Sequence, residues 1–246
     1  MIIDTHVHIG RGEKLEDTYQ IDQSPEAVLE QMAECGIDKS CLMAVYYEDY
    51  APGNEEVRAA VAAHPDKLIG YVRTNLHDEP NALAQVRTCF DEYGFRGLKI
   101  HPWQGDGFPT RGLMDLLGEY GRPLLLHTKP DLEAIDAIAH LARTHPKVPV
   151  IAGHMGGFSA FWPGFVKLCA LEAKQIDNLY LDTAFVFLHH WIRLAVDICG
   201  PEKVLFASDG PLAHPGIAMK QIELCRFTDS ENALILGGNA KQLLGL

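Results

Sequence analysis

Two histidines near the start of the chain have the spacing of metal ligands. His6 and His8 follow the β-branched Ile2 and Ile3, a pattern that predicts a strand. Side chains alternate along a strand, so both imidazoles are expected on the same face. Neutral imidazole is a common ligand of zinc and similar divalent ions. The other reading is a strand with two histidines on a solvated face, and the pattern alone favours the metal site over it.

Elements that could position these histidines recur along the whole chain. Short apolar runs predict strands, and they alternate with amphipathic stretches that predict helices. Ser24 and Pro25 indicate the start of a helix that ends at Gly36. Two further helices are expected to stop at His64 and His145, because each precedes a proline, a position displaced from the helical region. About eight strands, each followed by a helical segment, predict one α/β domain over residues 1–246, a closed (β/α)8 TIM barrel.

Polar residues gather at the predicted carboxyl ends of these strands, where such barrels build their active sites. They are His6, His8, Arg73, Lys99, His101, His127, His154, Asp182 and Asp209. Within this set, three imidazoles and one carboxylate suit one divalent ion that keeps a position open for water or substrate, namely His6, His8, His127 and Asp209. Zinc is the preferred ion, and manganese, cobalt and iron stay open because the same ligands suit them.

Charge and composition exclude several classes of partner. The chain of 246 residues has a formal net charge of -12, and binding to nucleic acid or anionic membranes requires clustered Lys and Arg. No apolar run approaches the ~18 residues of a membrane span, and no basic segment precedes a signal-like stretch. The six cysteines are scattered, which suits reduced thiols. We therefore expect a cytoplasmic protein with a small-molecule substrate.

Several motifs together resemble the amidohydrolase superfamily, in the branch that contains the aminocarboxymuconate-semialdehyde and resorcylate decarboxylases. They are Asp-Thr-His-Val-His, Gly-Leu-Lys-Ile-His-Pro, Leu-Leu-Leu-His-Thr, Gly-His-Met-Gly-Gly, Ser-Asp-Gly-Pro and the closing Gly-Asn-Ala-Lys-Gln-Leu-Leu. The resemblance implies a distorted eight-stranded βα barrel with one or two divalent metals. Its mononuclear form implies His6, His8, His127 and Asp209 as ligands. Catalysis would then fall to Asp209, which shuttles a proton, and to His154, which orients or deprotonates the metal-bound water.

Lys99 separates a one-metal site from a two-metal site. In binuclear relatives a lysine at the end of the fourth strand is carbamylated and bridges two ions. Lys99 has the same strand parity as His101 and is expected one layer deeper in the barrel. We therefore expect one metal, with Lys99 as a buried or substrate-facing cation and His101 at the mouth.

Other side chains are candidates for substrate contacts. Arg73 could bind a substrate carboxylate, and a structural ion pair is an equal alternative. Trp103 lies on the predicted loop after the fourth strand, where it could form an aromatic wall, cover the barrel or bury a dimer contact. The same alternatives apply to the aromatic residues on the loop after the sixth strand, Phe158, Phe161 and Trp162. Asp4 is expected to orient a metal ligand from behind.

Four kinds of activity fit this site to different degrees. Hydrolysis of a small ester, lactone or amide is the first, and non-oxidative decarboxylation of an unsaturated or aromatic acid is the alternative. A phosphoesterase or nuclease would need phosphate-binding cations, which the acidic charge opposes. A non-catalytic barrel would keep clustered imidazoles and carboxylates together at a cost. The brief intervals between units predict a small substrate, a shallow site or completion by a second subunit in a homodimer.

Overall fold

Eight parallel strands form the centre of the molecule. The computed structural model describes residues 1–12, 20–157 and 163–246. The strands are β1 (Ile3–Ile9), β2 (Lys39–Ala44), β3 (Leu68–Arg73), β4 (Gly97–Ile100), β5 (Leu124–Leu126), β6 (Val150–Ala152), β7 (Leu179–Asp182) and β8 (Val204–Leu205). They follow one another around a single sheet in chain order, each pairing in parallel with the next. A parallel bridge from Val7 to Gly210 joins β1 to the segment after β8, so the sheet is a nearly closed TIM barrel, as the sequence predicted.

Helices alternate with these strands and lie outside them. They are α1 (Pro25–Cys35), α2 (Ala51–Ala63), α3 (Glu79–Asp91), α4 (Arg111–Tyr120), α5 (Leu132–Thr144), α6 (Pro163–Gln175), α7 (His189–Cys199), α8 (Pro215–Leu224), α9 (Asp229–Ala233) and α10 (Asn239–Leu244). Shorter helical turns cover Pro102–Gln104, Gly153–Gly156, Pro201–Lys203 and Leu234–Gly238. In the part of the chain that the structure describes, no helix has the length and apolar character needed to cross a membrane.

The helix ends confirm the signals read from the sequence. The Ser24 hydroxyl accepts a hydrogen bond from the Ala27 amide, which satisfies one of the free amides at the start of α1. Gly36 ends the same helix in the left-handed conformation, with φ 66°. The helices α2 and α5 end at His64 and His145, each just before a proline.

Two apolar clusters fix the barrel and leave its mouth polar. Outside the sheet, a large cluster packs strands against helices, for example Val7 and Ile9 of β1. Inside the barrel, a second cluster packs strand residues against one another, including Ile3, Met43 and Tyr71. A Cβ on Gly97 would lie 2.5 Å from the Tyr71 ring, so only glycine leaves room for that ring. Apolar packing therefore shares the interior of the barrel with the buried polar side chains His6 and Lys99.

Candidate metal centre

A bulge in β1 turns both predicted ligands into the barrel. The pairing of β1 with β2 shifts between Asp4 and Val7, where β1 has one residue more than its partner. Ile3 belongs to the inner cluster and Val7 to the outer one. Without the extra residue, strict alternation would send Ile3 and His6 to opposite faces of the sheet. The bulge lets apolar packing below and the two histidines above share the interior.

Three side chains form a group with the dimensions of a metal site. His6 Nε2 lies 3.2 Å from His8 Nε2, and Asp209 Oδ1 lies 3.3 Å from the first and 3.5 Å from the second. Ligands that are each about 2.05 Å from a tetrahedral zinc ion are separated by about 3.3 Å. The donor set and its spacing therefore fit a divalent ion, and among the residues that the structure describes these three lie close enough together to bind one.

Asp209 reaches this group through an unusual backbone conformation. Its φ is 68°, in the left-handed region that is uncommon for residues other than glycine. The Asp209 amide donates to the His6 carbonyl at 3.0 Å, which ties the conformation to β1. Burial raises the pKa of Asp209, but the adjacent His6 and His8 outweigh this and hold it below the ordinary value. Asp209 is therefore a carboxylate, the form that binds a metal.

Hydrogen bonds fix which nitrogen each ligand histidine presents. His6 Nδ1 donates to Asp182 Oδ2 at 2.9 Å, and His8 Nδ1 contacts the Ala44 carbonyl at 3.3 Å. The proton on Nδ1 leaves the lone pair on Nε2, and both Nε2 atoms face the group. Burial is the main cause that lowers the pKa of His6 and His8, so both are neutral. Neutral imidazole is the form that ligates.

Asp182 is the functional residue whose role sequence reasoning missed. It is the last residue of β7. Besides His6, it accepts the amide of His154 at 2.6 Å and the amide of Ala184 at 3.2 Å. Burial raises its pKa to about 6. The signal was present, since Asp182 stands at a strand end among the polar residues, but the sequence did not show that it lies against β1.

Asp4 holds the first strand to the segment that carries Asp209. Its carboxylate accepts the backbone amide of Ser208 at 3.0 Å and the amide of His6 at 3.3 Å. Burial raises the pKa of Asp4 to about 7. Asp4 thus acts on the backbone beneath the ligands, whereas Asp182 contacts the ring of His6 directly.

Lys99 lies directly beside the metal ligands. Its Nζ is 2.9 Å from His6 Nε2, and the residue is fully buried inside the barrel. Burial lowers the pKa of Lys99 to about 8. A protonated amine so close to a metal ion would repel it, and either loss of the proton or conversion to a carbamate removes that repulsion. The side chain thus reaches the centre itself.

His127 and His154 of the predicted set form a hydrogen-bonded pair. His154 Nδ1 donates to the Ala184 carbonyl at 2.9 Å, so His154 Nε2 accepts from His127 Nδ1, also at 2.9 Å. Burial lowers the pKa of His154 to about 4 and lowers that of His127 as well, so both rings are neutral. His127 is outside the group of three ligands, and its role as a fourth ligand stays a prediction.

A continuous series of rings leads from the centre to the rim. His6 and His154 have ring centroids 5.3 Å apart, and His154 and His127 are 4.5 Å apart. His127 stacks on His101 at 3.6 Å with an angle of 15°. Trp103 is 42% exposed and lies 6.0 Å from His127. Burial lowers the pKa of His101 to about 2, so this series carries no added charge. The loop aromatics at 158, 161 and 162 lie outside the described residues.

Arg73 takes part in an ion pair rather than standing open at the mouth. Its Nη2 lies 3.0 Å from Asp106 Oδ2, and both side chains are buried. This arrangement matches the second of the two alternatives that the sequence left open. Asp106 itself received no role from the sequence, because its contact with Arg73 depends on the course of the loop after β4.

A TIM barrel with this centre defines a class of metal-dependent enzymes whose ligands stand at strand ends. The chain belongs to the amidohydrolase family, whose pattern it matches over residues 3–246. This confirms the family inferred from the motifs.

Relatives in this family include decarboxylases. The chain is 22% identical, over 78% of its length, to the 2-amino-3-carboxymuconate-6-semialdehyde decarboxylase of Dictyostelium discoideum, of which it spans 65%. It superposes with a TM-score of 0.78 and 17% identity on a dihydroxybenzoic acid decarboxylase from a Polaromonas species with bound manganese, covering 100% of this chain and 97% of that one. A Burkholderia multivorans amidohydrolase with bound zinc gives 0.81 at 14% identity, covering 100% and 99%.

Proposed function

We propose that the protein is a metal-dependent decarboxylase of a small unsaturated or aromatic carboxylic acid. The observation that carries the proposal is the continuity between the group of His6, His8 and Asp209 and the ring series that runs through His127 to Trp103. A planar acid whose carboxylate faces the centre would lie against those rings. The decarboxylase names of the relatives support this choice.

The proposal assigns the metal to ligands that the chain already orients. His6, His8 and Asp209 would hold one divalent ion, with His127 as a fourth ligand and zinc as the preferred metal. Manganese is an alternative, since structural relatives with either ion have been solved. When bound, the ion supplies a Lewis acid that holds and polarises the acid group of the substrate.

The residues of the chain would position the substrate and move one proton. Loss of carbon dioxide leaves an electron pair on carbon, and this pair must receive a proton. We assign that transfer to Asp209, which as a carboxylate would take a proton from solvent water and pass it to this carbon, with His154 fixing His127 through their hydrogen bond of 2.9 Å. His101 and Trp103 would stack against the planar substrate, and Lys99 would face it as a cation or become a carbamate.

Hydrolysis of an ester, lactone or amide is the second candidate. The sequence placed it first, but the functions named for the relatives favour decarboxylation. The observation for hydrolysis is Asp209 Oδ1, which lies within 3.5 Å of both ligand nitrogens. A carboxylate there could accept a proton from attacking water.

All six cysteines are unpaired, which suits the reducing cytoplasm that we propose as the compartment.

One panel experiment separates the two reactions. The metal-loaded protein is incubated with dihydroxybenzoates, other unsaturated acids, lactones, esters and amides, and carbon dioxide is recorded separately from acid release. We expect carbon dioxide from at least one planar acid, with no activity in His8→Ala. The matched control is His64→Ala, which changes the histidine that ends α2. Acid release from a lactone, ester or amide without any carbon dioxide would establish the hydrolase instead.

A further inference from the structure

A buried ion pair joins the ends of three strands, β2, β3 and β4, at one side of the mouth. Arg73 is the last residue of β3, and Asp106 lies on the loop after β4. Their side chains are 1% and 0% exposed, and the two charges are 3.0 Å apart. An isolated charge at such depth would be strongly unfavourable, so each residue depends on the other.

Asp106 uses both carboxylate oxygens on groups from different elements. Oδ2 accepts from Arg73 Nη2 and, at 2.7 Å, from the backbone amide of His101. Oδ1 accepts from the Tyr50 hydroxyl at 2.7 Å. The carboxylate therefore fixes the chain at the point where β4 ends and the loop with Trp103 begins.

Both terminal nitrogens of the Arg73 guanidinium donate hydrogen bonds to other groups of the protein. Nη1 donates to the Ala44 carbonyl at 3.2 Å, and Nη2 donates to Gln104 as well as to Asp106. The guanidinium also lies 4.6 Å from the centre of the Tyr50 ring. A bidentate contact with a substrate carboxylate would have to break these bonds.

The same pair reaches both kinds of residue in the site. The Ala44 carbonyl that Arg73 contacts also accepts from His8 Nδ1. On the other side, Asp106 binds the amide of His101, whose ring stacks on His127. The pair therefore supports both the metal ligand His8, through the Ala44 carbonyl, and the ring series, through the His101 amide.

We propose that Arg73 and Asp106 are positioning residues that hold the loop after β4, and with it His101 and Trp103, against His127. This deepens the proposed function, because it states what sets the aromatic wall for the substrate. A purely structural pair would stabilise the fold without controlling the place of Trp103. The two roles predict different results when both charges are replaced together: a purely structural pair predicts that Trp103 keeps its position, and a positioning pair predicts that Trp103 moves.

The test compares single and double replacements at the pair. Asp106→Leu leaves the Arg73 charge buried and unpaired, and we expect a lowered melting temperature. Arg73→Met with Asp106→Leu removes both charges, and we expect the melting temperature to recover in part, because the Tyr50 hydroxyl and the His101 amide still lose their acceptor. The control is Arg87→Met with Glu119→Leu, an exposed pair at 3.7 Å whose side chains are 52% and 63% exposed.

Fluorine NMR of protein labelled with fluorinated tryptophan reports the position of Trp103 without a substrate. The Trp103 resonance is assigned from Trp103→Phe. We expect it to shift in the double variant despite the partly recovered stability, and to stay in place in the exposed-pair control. With an active substrate, kcat/KM should fall by about ten- to a hundredfold, since a misplacement of about 1 Å can cost a hundredfold. An unshifted resonance in the double variant would overturn the proposal.

Arg73→Lys keeps the test decisive if the double variant does not fold. Lysine keeps the charge but lacks the planar fork that contacts Ala44, Gln104 and Asp106 together. We expect a folded protein with a shifted Trp103 resonance, and an unshifted one would contradict the positioning role. Both NMR results are independent of the reaction, so failure of the proposed decarboxylase activity would leave them readable.

Discussion

Asp182→Asn changes the hydrogen-bonding character of one atom beside a metal ligand. In the native protein Asp182 Oδ1 accepts two backbone amides, from His154 and Ala184, and Oδ2 accepts from His6 Nδ1. An asparagine in the same rotamer must keep its oxygen toward the two amides, which only donate. Its NH2 group then faces His6 Nδ1 and can bond only to a lone pair. The His6 proton would move to Nε2, the atom needed for the metal.

The expected loss of metal affinity follows from this change in the tautomer of His6. Removing the partner of a ligating histidine typically lowers metal affinity by about ten- to a hundredfold, which is about 1.4 to 2.7 kcal/mol. We expect the upper end, because Asp182→Asn forces the wrong tautomer as well as removing a charge. The shape of the side chain is unchanged, so the fold should be preserved.

Competition with a chromophoric chelator measures this affinity without any substrate. The metal-free protein and Asp182→Asn are titrated with zinc beside the chelator. The control is Asp197→Asn, whose carboxylate is 51% exposed and pairs with Arg193 on the surface of α7. An Asp182→Asn protein that binds zinc as tightly as wild type would refute the tautomer argument.

Four further predictions address the site and the core. Both His8→Ala and Asp209→Ala should lose the bound metal in elemental analysis, and retention of a full equivalent by both would place the ion elsewhere. Asp106→Leu should lower the free energy of unfolding by about 3–5 kcal/mol in urea titrations, because it leaves a buried charge unpaired; a change no larger than that of the exposed pair would contradict this. Elemental analysis should give one metal per chain; two metals per chain together with a carbamylated Lys99 would overturn the mononuclear site. Burial raises the pKa of Cys89, Cys169 and Cys199 to about 12 each. Their stabilisation is full below the unfolded thiol pKa of about 8.5 and is lost as the pH rises from there toward 12, at up to about 1.4 kcal/mol per thiol and pH unit. The urea concentration at the unfolding midpoint should therefore decrease as the pH is raised from about 8 to about 10, and it should decrease less steeply in Cys199→Ala. Equal slopes in the two proteins would exclude the thiols as the cause of the decrease.

The barrel was readable because each unit carries its own local signals. Ser24 with Pro25 and the prolines after His64 and His145 define helix ends by backbone geometry, which distant contacts change little. Boundaries without such signals were less accurate. The residue pattern predicts a helix over roughly Glu55 to Ala63, whereas α2 begins at Ala51, where Pro52 in the first turn marks the start.

The last strand shows a different limit of the sequence. The apolar run from Lys203 to Asp209 predicts a full strand, whereas β8 covers Val204–Leu205. The residues after it pair with β1 through single bonds, including Thr5 to Phe206 and His8 to Gly210. This irregular closure goes with the bulge in β1, and both depend on how the two ends of the sheet meet.

Site residues divide in the same way. His6, His8 and Asp209 could be found from strand ends, because parallel strands in a barrel bring those ends together. Asp182 acts through a long-range hydrogen bond to His6, and Asp106 acts through its ion pair with Arg73 on the preceding strand and through a hydrogen bond within its own loop to the His101 amide; the sequence does not show how these segments are oriented. Partners of this kind can be identified only from the three-dimensional structure.

The most direct test of the proposed chemistry follows one labelled carbon atom. Planar acids labelled in the carboxyl carbon, with 2,6-dihydroxybenzoate as the first probe, are given to the zinc- or manganese-loaded protein, and labelled carbon dioxide is measured by mass spectrometry. We predict release by the wild type that is abolished by chelation and by His8→Ala. Release that survives both changes, or no release from any planar acid, would contradict a metal-dependent decarboxylase centred on His6, His8 and Asp209.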